Sequence, residues 1–410
     1  MKKSVVFAIV LMMFASLLLL ACGPTSGNDG KTYNFTVWCA EADKTMIESM
    51  LVDYEEENPS NTYSWTVTAV EEDVAGSRVI ADPDTAADIF SFASDQLGKL
   101  VKYGAIAAVP SSLKKHIEGQ IFPAQIAATY ENVYYGYPFT YENCFLYYNK
   151  SMITSAEVIG DLEKLLTAQI SGVQTNLAID MTDSYYTTMF LLTTGVTLFG
   201  ADGTDGSDSA VVGSLNNDKA TKACDYILSL GDKPKFGSVA KAQQYNALFN
   251  REIAAIISGP HSISLFKSAL GANFAVAKLP KVNIGGQSLQ LKCFSGIKMY
   301  GVNRLCQNTD EASKIAAFLS NYDNQMIRLN DREFCPTDTK LYEEAEKSAI
   351  NTVKVVIDQA DHSVLKPSLV QMGDYWTPMG SFLYGVFTKK VAKNNWNAQL
   401  AAIEEKIKAK

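Results

Sequence analysis

Histidine is scarce in this chain of 410 residues, which has three, His116, His261 and His362. None stands in a His-Glu-x-x-His pattern or beside a cysteine at ligand spacing, so zinc chemistry is excluded and no metal or cofactor is expected. Cysteine is sparse as well, seven in all without a Cys-x-x-Cys pair. That is too few for a disulfide scaffold, and the fold must rest on buried apolar area. Basic blocks are missing: 36 Lys and Arg against 44 Asp and Glu give a formal charge of −8 with no positive patch, which excludes nucleic acid as a partner. After residue 20 no apolar run approaches the roughly 20 residues of a membrane span. A Gly-x-Ser-x-Gly elbow, a Walker loop and a dinucleotide fingerprint are also absent, so hydrolase, nucleotidase and dehydrogenase readings have no starting motif.

What is present is enough for large cores, with 47% hydrophobic and 10% aromatic residues. At about 150 residues per domain the length suggests two or three domains. The N-terminus gives an address. Lys2 and Lys3 precede an apolar stretch, Val5 to Leu20, interrupted only by Ser16, and small residues follow it. The run Leu19-Leu20-Ala21-Cys22-Gly23 resembles the bacterial lipobox. That resemblance implies a signal peptide over 1–21, acylation of Cys22, and a polar tether over 22–30. The mature protein is then expected on the outer face of a bacterial cell membrane, held in the bilayer by more than one acyl chain.

From Lys31 the pattern switches between period two and period 3.6, the mark of an α/β chain. Tyr33–Trp38 reads as a strand. Met46, Ile47, Met50, Leu51 and Tyr54 line one helical face that closes at Asn58-Pro59, and Tyr63–Val70 is the next strand. Asp88–Phe92 and Ile253–Ser258 read as strands, Ser184–Thr194, Asn217–Leu230 and Asp310–Tyr322 as helices, and the last seventy residues as mostly helical. Gly195–Ser209 is a glycine- and aspartate-rich loop. Within it, Asp202-Gly-Thr-Asp205-Gly-Ser-Asp208 misses the calcium-loop order and reads as a turn.

Five segments in order resemble the maltodextrin-binding family of extracellular solute-binding proteins that feed ABC importers. They are Phe35-Thr-Val-Trp38, Asp88-Ile-Phe-Ser-Phe92 with Asp95, and Gly136-Tyr-Pro-Phe-Thr-Tyr-Glu142 leading to Leu146-Tyr-Tyr-Asn-Lys150. Phe249-Asn-Arg-Glu-Ile-Ala-Ala-Ile-Ile-Ser-Gly-Pro260 and Gln371-Met372-Gly-Asp-Tyr-Trp376 complete the set. The resemblance implies a two-lobed periplasmic-binding-protein-like fold of type II, each lobe a mixed sheet flanked by helices and joined by hinge crossings. It places 31–141 plus 291–334 in the first lobe and 142–290 plus 335–410 in the second. It further implies a monomer that delivers a small solute, a sugar by the family's habit, to the transmembrane subunits of an ABC permease.

Sugars offer C–H faces that stack on aromatic rings and hydroxyls that suit carboxylates, so their receptors are aromatic and acidic together. Carried over residue by residue, Phe92 stands where relatives have a stacking Trp, and Asp95 with Gln96 where they have Asp and Arg. Glu142 matches the acid of the crossing segment, and Tyr185, beside Tyr186, matches a Tyr opening a long helix. His261 replaces a Trp after Gly-Pro, and could as well be a surface group, while Trp376 keeps the late stacking Trp. Trp38 is placed at the cleft floor or under the first helix. Glu41, Asp43 and Lys44 stand near a family Asp–Lys pair with an offset. Trp65 and Trp396 read as packing.

Three rivals share the residues. Asp95 and Glu142 could be the paired carboxylates of a glycosidase. A receptor of the same fold could take a polyamine, iron or a peptide, with Tyr185-Tyr186 or Tyr134-Tyr135 as ligands. A purely structural lipoprotein needs no such long two-lobed chain. Whether Cys39, Cys144, Cys224, Cys293, Cys306 and Cys335 pair is left open by sequence.

Overall fold

The computed structural model describes residues 30–408. Cys22, the signal peptide expected over 1–21 and all but the last residue of the expected tether lie outside them. Among the described residues no helix is long and apolar enough to cross a membrane.

The first sheet starts as a βαβ unit. Alternation in Thr32–Cys39 turns Tyr33, Phe35, Val37 and Cys39 inward. Lys44–Glu57 follows as a helix because Ile47, Met50, Leu51 and Tyr54 recur at helical spacing on its buried face. It ends at Asn58, ahead of Pro59. Thr62–Ala69 then returns parallel to the first strand, Thr32 opposite Thr62 through Cys39 opposite Ala69. On the other side of Thr32–Cys39 lies Ile89–Ala93, also parallel. The long strand Cys293–Val302 comes back from late in the chain to pair antiparallel with both Ile89–Ala93 and Tyr137–Asn143.

A second sheet has the order Phe274–Ala277, Phe145–Asn149, Ile253–Ser258, Thr175–Ile179, Phe236–Ser238. The chain leaves the first sheet at Asn143 and enters the second at Phe145, with only Cys144 between. Both faces of this second sheet are covered. Phe145, Tyr147 and Ile256 join one apolar core, while Leu146 and Ile257 join another, as the period of two requires. Two sheets flanked by helices make the two-lobed periplasmic-binding-protein fold.

The helix Asn351–Ala360 bridges the halves. It packs on Tyr137–Asn143, Phe145–Asn149 and Phe274–Ala277, and its Val356 carbonyl accepts from Asn143 Nδ2 at 2.8 Å. Beyond it, Ser363–Leu365 pairs in parallel with Cys293–Val302. This corrects the expectation that everything from 335 onward sits in the second lobe: Ser363–Leu365 completes the first sheet, because the edge of Cys293–Val302 has unpaired backbone groups to satisfy there. The loop read over Gly195–Ser209 ends earlier than expected, with a short helix over Asp208–Val211. The six described cysteines are all buried thiols.

Candidate ligand cleft

Several strand and helix ends, the strands that carry Glu142 and Lys298, and one strap surround a cavity of about 340 Å³, within the range of small-ligand sites. From the first sheet comes the turn Ser94–Gln96, directly after Ile89–Ala93. Asp95 points from it into the cavity. Gln96 is used structurally: its Oε1 accepts from the Gly76 N–H at 2.8 Å and its Nε2 donates to the Glu72 carbonyl. A Cβ at 76 would lie 2.3 Å from that Oε1, so only glycine allows the contact. The contact fixes the start of the helix Glu72–Ala81 against the cavity, where Glu71, Glu72 and Asp73 line it.

The second sheet contributes aromatic rings. Asp183 caps the helix Ser184–Thr193 by accepting from the Tyr185 N–H at 2.8 Å, which leaves Tyr185 and Tyr186 at the cavity wall. Ser184 Oγ donates to the Trp376 carbonyl at 2.8 Å, tying this helix to the start of Trp376–Phe387. Buried Phe294 contacts both partly buried rings, 6.5 Å from Tyr185 in a stacked arrangement and 5.7 Å from Trp376 edge-on. Trp376 is thereby held in place with part of its ring open to the cavity. His261 reaches the cavity from the turn Pro260–Ser262 that follows Ile253–Ser258. Burial first, then the nearby Lys241 and Lys298 ammoniums, push its imidazole down to about 3, so the ring is neutral. Its Nε2 is buried without a hydrogen-bond partner.

The floor is charged. Lys298 projects from Cys293–Val302 and pairs with Glu72 at 3.3 Å. Lys366, on the strap after Ser363–Leu365, pairs with Asp95 at 3.0 Å and lies 5.4 Å from the centre of the Tyr185 ring. Burial alone would lower the pKa of both lysines. Glu72 and then Glu142 outweigh it for Lys298, Asp95 and then Glu142 for Lys366, and both are held above the ordinary lysine value. Burial raises the Glu72 carboxyl, and Lys298 opposes the shift.

Asp95, Glu142, Tyr185, His261 and Trp376 therefore meet around one cavity although 281 residues separate the first from the last. Four expected contacts do not. Phe92 is fully buried, tilted against Phe90 at 5.5 Å, because the alternation of Ile89–Ala93 in a doubly covered strand sends it into the core. Trp38 packs half-buried against the first core. Asp43 is buried and ion-paired with Arg332, and Glu41 is exposed, its N–H donating to Glu71 at 3.3 Å. Sequence reasoning missed Glu71, Glu72, Asp73, Asp183, Lys241, Lys298 and Lys366. One signal existed: Lys298 is the only charge in Cys293–Val302, and a lone lysine in an otherwise apolar buried strand calls for a function or a partner.

Comparison with known proteins agrees with this architecture. Residues 49–354 match the model of the family described as bacterial extracellular solute-binding protein. A galactooligosaccharide-binding protein of Bacillus subtilis is 27% identical over 406 residues, covering 95% of this chain and 93% of its own. The maltodextrin-binding protein MdxE of the same organism is 28% identical over 425 residues, 98% of each chain. A maltooligosaccharide ABC transporter solute-binding lipoprotein of Streptococcus pneumoniae is 27% identical over 432 residues, covering 100% of this chain and 98% of its own. Among solved structures, one determined with acarbose superimposes with a TM-score of 0.81 at 28% identity over 92% of this chain and 98% of that one. The maltodextrin-binding protein MalE1 of L. casei gives 0.79 at 24% identity, over 92% of this chain and 100% of its own. On the family match, carried by three quarters of its length, the chain belongs to the bacterial extracellular solute-binding proteins.

Proposed function

We propose that this protein captures a mono- or oligosaccharide in the cleft and hands it unchanged to an ABC permease. The observation that carries this reading is the meeting of Trp376 and Tyr185 with Asp95 and Glu142 around one cavity, rings for the sugar's C–H faces and carboxylates for its hydroxyls. The names of the relatives support it, since they bind galactooligosaccharides, maltodextrins and maltooligosaccharides. Phe92, Trp38, Glu41 and Asp43 have no part in the contact set. Binding to both walls shifts the lobes toward the closed form by the difference in affinity between the two forms.

The same reading makes the protein a lipoprotein anchored through Cys22 to the outer face of the bacterial membrane, not an enzyme. The S. pneumoniae relative is named a lipoprotein, and lipobox, charge and apolar run are in register in this sequence. A Cys22→Ser variant loses incorporation of labelled palmitate. A thermal-shift screen with mono- and oligosaccharides tests the function, because stabilisation follows RT ln(1 + [L]/Kd). At least one sugar raises the melting temperature and is recovered intact by chromatography. Silence across neutral sugars, or cleavage of the ligand, refutes the reading.

A further inference from the structure

Where the chain passes between the two halves of the molecule, sulfur and hydroxyl groups from separate segments converge. Cys144 is the single residue between Tyr137–Asn143 of the first sheet and Phe145–Asn149 of the second. Cys293 opens the strand that returns to the first sheet, and the residue before it, Lys292, still donates its N–H to Thr193 Oγ1 of the helix Ser184–Thr193 at 2.9 Å. Ser363 opens the strand that follows the bridging helix Asn351–Ala360. Cys293 Sγ lies 3.7 Å from the Cys144 carbonyl, to which it donates, and 3.6 Å from Ser363 Oγ, and the two thiols hydrogen-bond each other. Asn143 opposite Ser295 is the last pair of the ladder between their strands, so Cys144 and Cys293 follow it on neighbouring backbones. Backbones at the strand spacing of about 4.8 Å are within a disulfide's reach. The six described cysteines are not alike. Burial pushes Cys39, Cys224 and Cys306 up to about 12 and raises Cys335 as well. Burial raises Cys293 too, but hydrogen bonds from the Cys144 thiol and the Ser363 hydroxyl outweigh it and hold this thiol below the ordinary cysteine value, whereas burial and the same contact raise Cys144.

We propose that Cys144 and Cys293 are a modification site: a hydroperoxide converts the pair to a disulfide, which ties two of the lobe crossings together and weakens capture of the solute. Cys293, as thiolate, attacks a peroxide oxygen. The O–O bond breaks, the departing oxygen takes up the thiol's proton, and Cys293 becomes a sulfenic acid. The Cys144 sulfur then attacks that sulfur, the S–O bond breaks, and water leaves with the Cys144 proton. Two thiols lose two protons and two electrons, and one hydroperoxide is reduced to an alcohol and water. Both thiols are buried, so the reaction waits on fluctuation of the hinge and excludes bulky oxidants. A bond formed in the ligand-free arrangement opposes any closure in which the two crossings turn against each other, so it costs affinity. The ligand in turn disfavours the disulfide by the same factor.

The test treats the mature protein, free of sugar, with hydrogen peroxide, then unfolds it, alkylates the remaining thiols and maps the digest by mass spectrometry. The expected result is a peptide containing Cys144 joined to one containing Cys293, with Cys39, Cys224, Cys306 and Cys335 alkylated. Titration calorimetry with the best sugar of the thermal screen then shows the oxidised protein binding about tenfold more weakly, near the lower end of usual couplings between sites, and dithiothreitol restores both thiols and affinity. Saturating sugar raises the reduction potential of the pair by about 30 mV, the equivalent of tenfold for a two-electron couple. The double variant Cys144→Ser/Cys293→Ser binds sugar alike before and after peroxide, which separates the disulfide from methionine oxidation, since dithiothreitol does not reverse the latter. Absence of the linked peptide, a linkage that leaves affinity within twofold, or an equal loss of affinity in the double variant overturns the proposal and leaves the sugar reading standing. If no sugar binds the reduced protein, the sugar reading falls by itself, and the linked peptide, present or absent, still decides the pair.

Discussion

Replacing Trp376 by Ala separates binding from folding more cleanly than any other single change in the cleft. The indole is half-buried, held edge-on by Phe294 at 5.7 Å and Tyr375 at 5.5 Å, and its remaining face lines the cavity. Covering that face with a sugar ring removes on the order of 80 Å² of apolar surface from water, about 2 kcal/mol at 25 cal/mol per Å². The variant should therefore bind its sugar about thirtyfold more weakly. Stability falls too, since two edge-to-face contacts and part of the ring's burial are lost, by about 1–2 kcal/mol. The Ser184 Oγ bond to the residue 376 carbonyl survives because it uses the main chain. Spread over so large a chain, that loss lowers the melting temperature by only a few degrees. Calorimetric titration with the best sugar of the thermal screen, beside a thermal melt without sugar, reads both quantities. An affinity within twofold of wild type in a folded variant refutes the role given to the ring.

Further outcomes follow from the same geometry. Glu142→Gln keeps the shape but removes the charge shared by Lys298 and Lys366, and calorimetry should show a tenfold or greater loss of sugar affinity, about 1.4 kcal/mol or more. Asp43→Ala breaks the buried pair with Arg332 and destabilises by about 3 kcal/mol in urea unfolding, while sugar affinity stays within a few fold because neither residue lines the cleft. Burial lowers His116 to about 4 and His261 to about 3 from an ordinary value of 6.5. Between those values the unfolded chain binds protons that the folded chain does not, so stability is full above pH 6.5 and drops as the pH falls, by up to about 1.4 kcal/mol per unit for each ring. Urea unfolding at pH 7 and pH 5 reads this, and His261→Asn should remove its share of the difference.

The fold was legible where burial is periodic. The helical face of Ile47, Met50, Leu51 and Tyr54 follows directly from apolar spacing, and the strand Ile253–Ser258, buried at every position, from a short continuous apolar run. The lining of the cavity was legible where a residue sits at an element end, as Asp95, Tyr185, His261 and Trp376 do, because strand and helix ends border the crevice of open α/β folds. Phe92 misled for the same reason: one residue before the strand's last, it alternates into the core, and the spacing alone does not say which face is covered twice. Asp43 misled because Arg332, distant in sequence, claims it. The lysines were hidden more deeply. Their meaning is a set of long-range pairings, Lys298 with Glu72 and Lys366 with Asp95, and no local pattern encodes contacts between residues more than two hundred positions apart.

The most direct measurement is a crystal structure of the protein grown with the sugar that stabilises it most. A pyranose ring stacked on Trp376, with hydroxyls within hydrogen-bonding distance of Glu142 and Asp95, is the predicted result. Sugar density elsewhere on the surface, with the space between Trp376 and Glu142 empty, would contradict capture in the cleft.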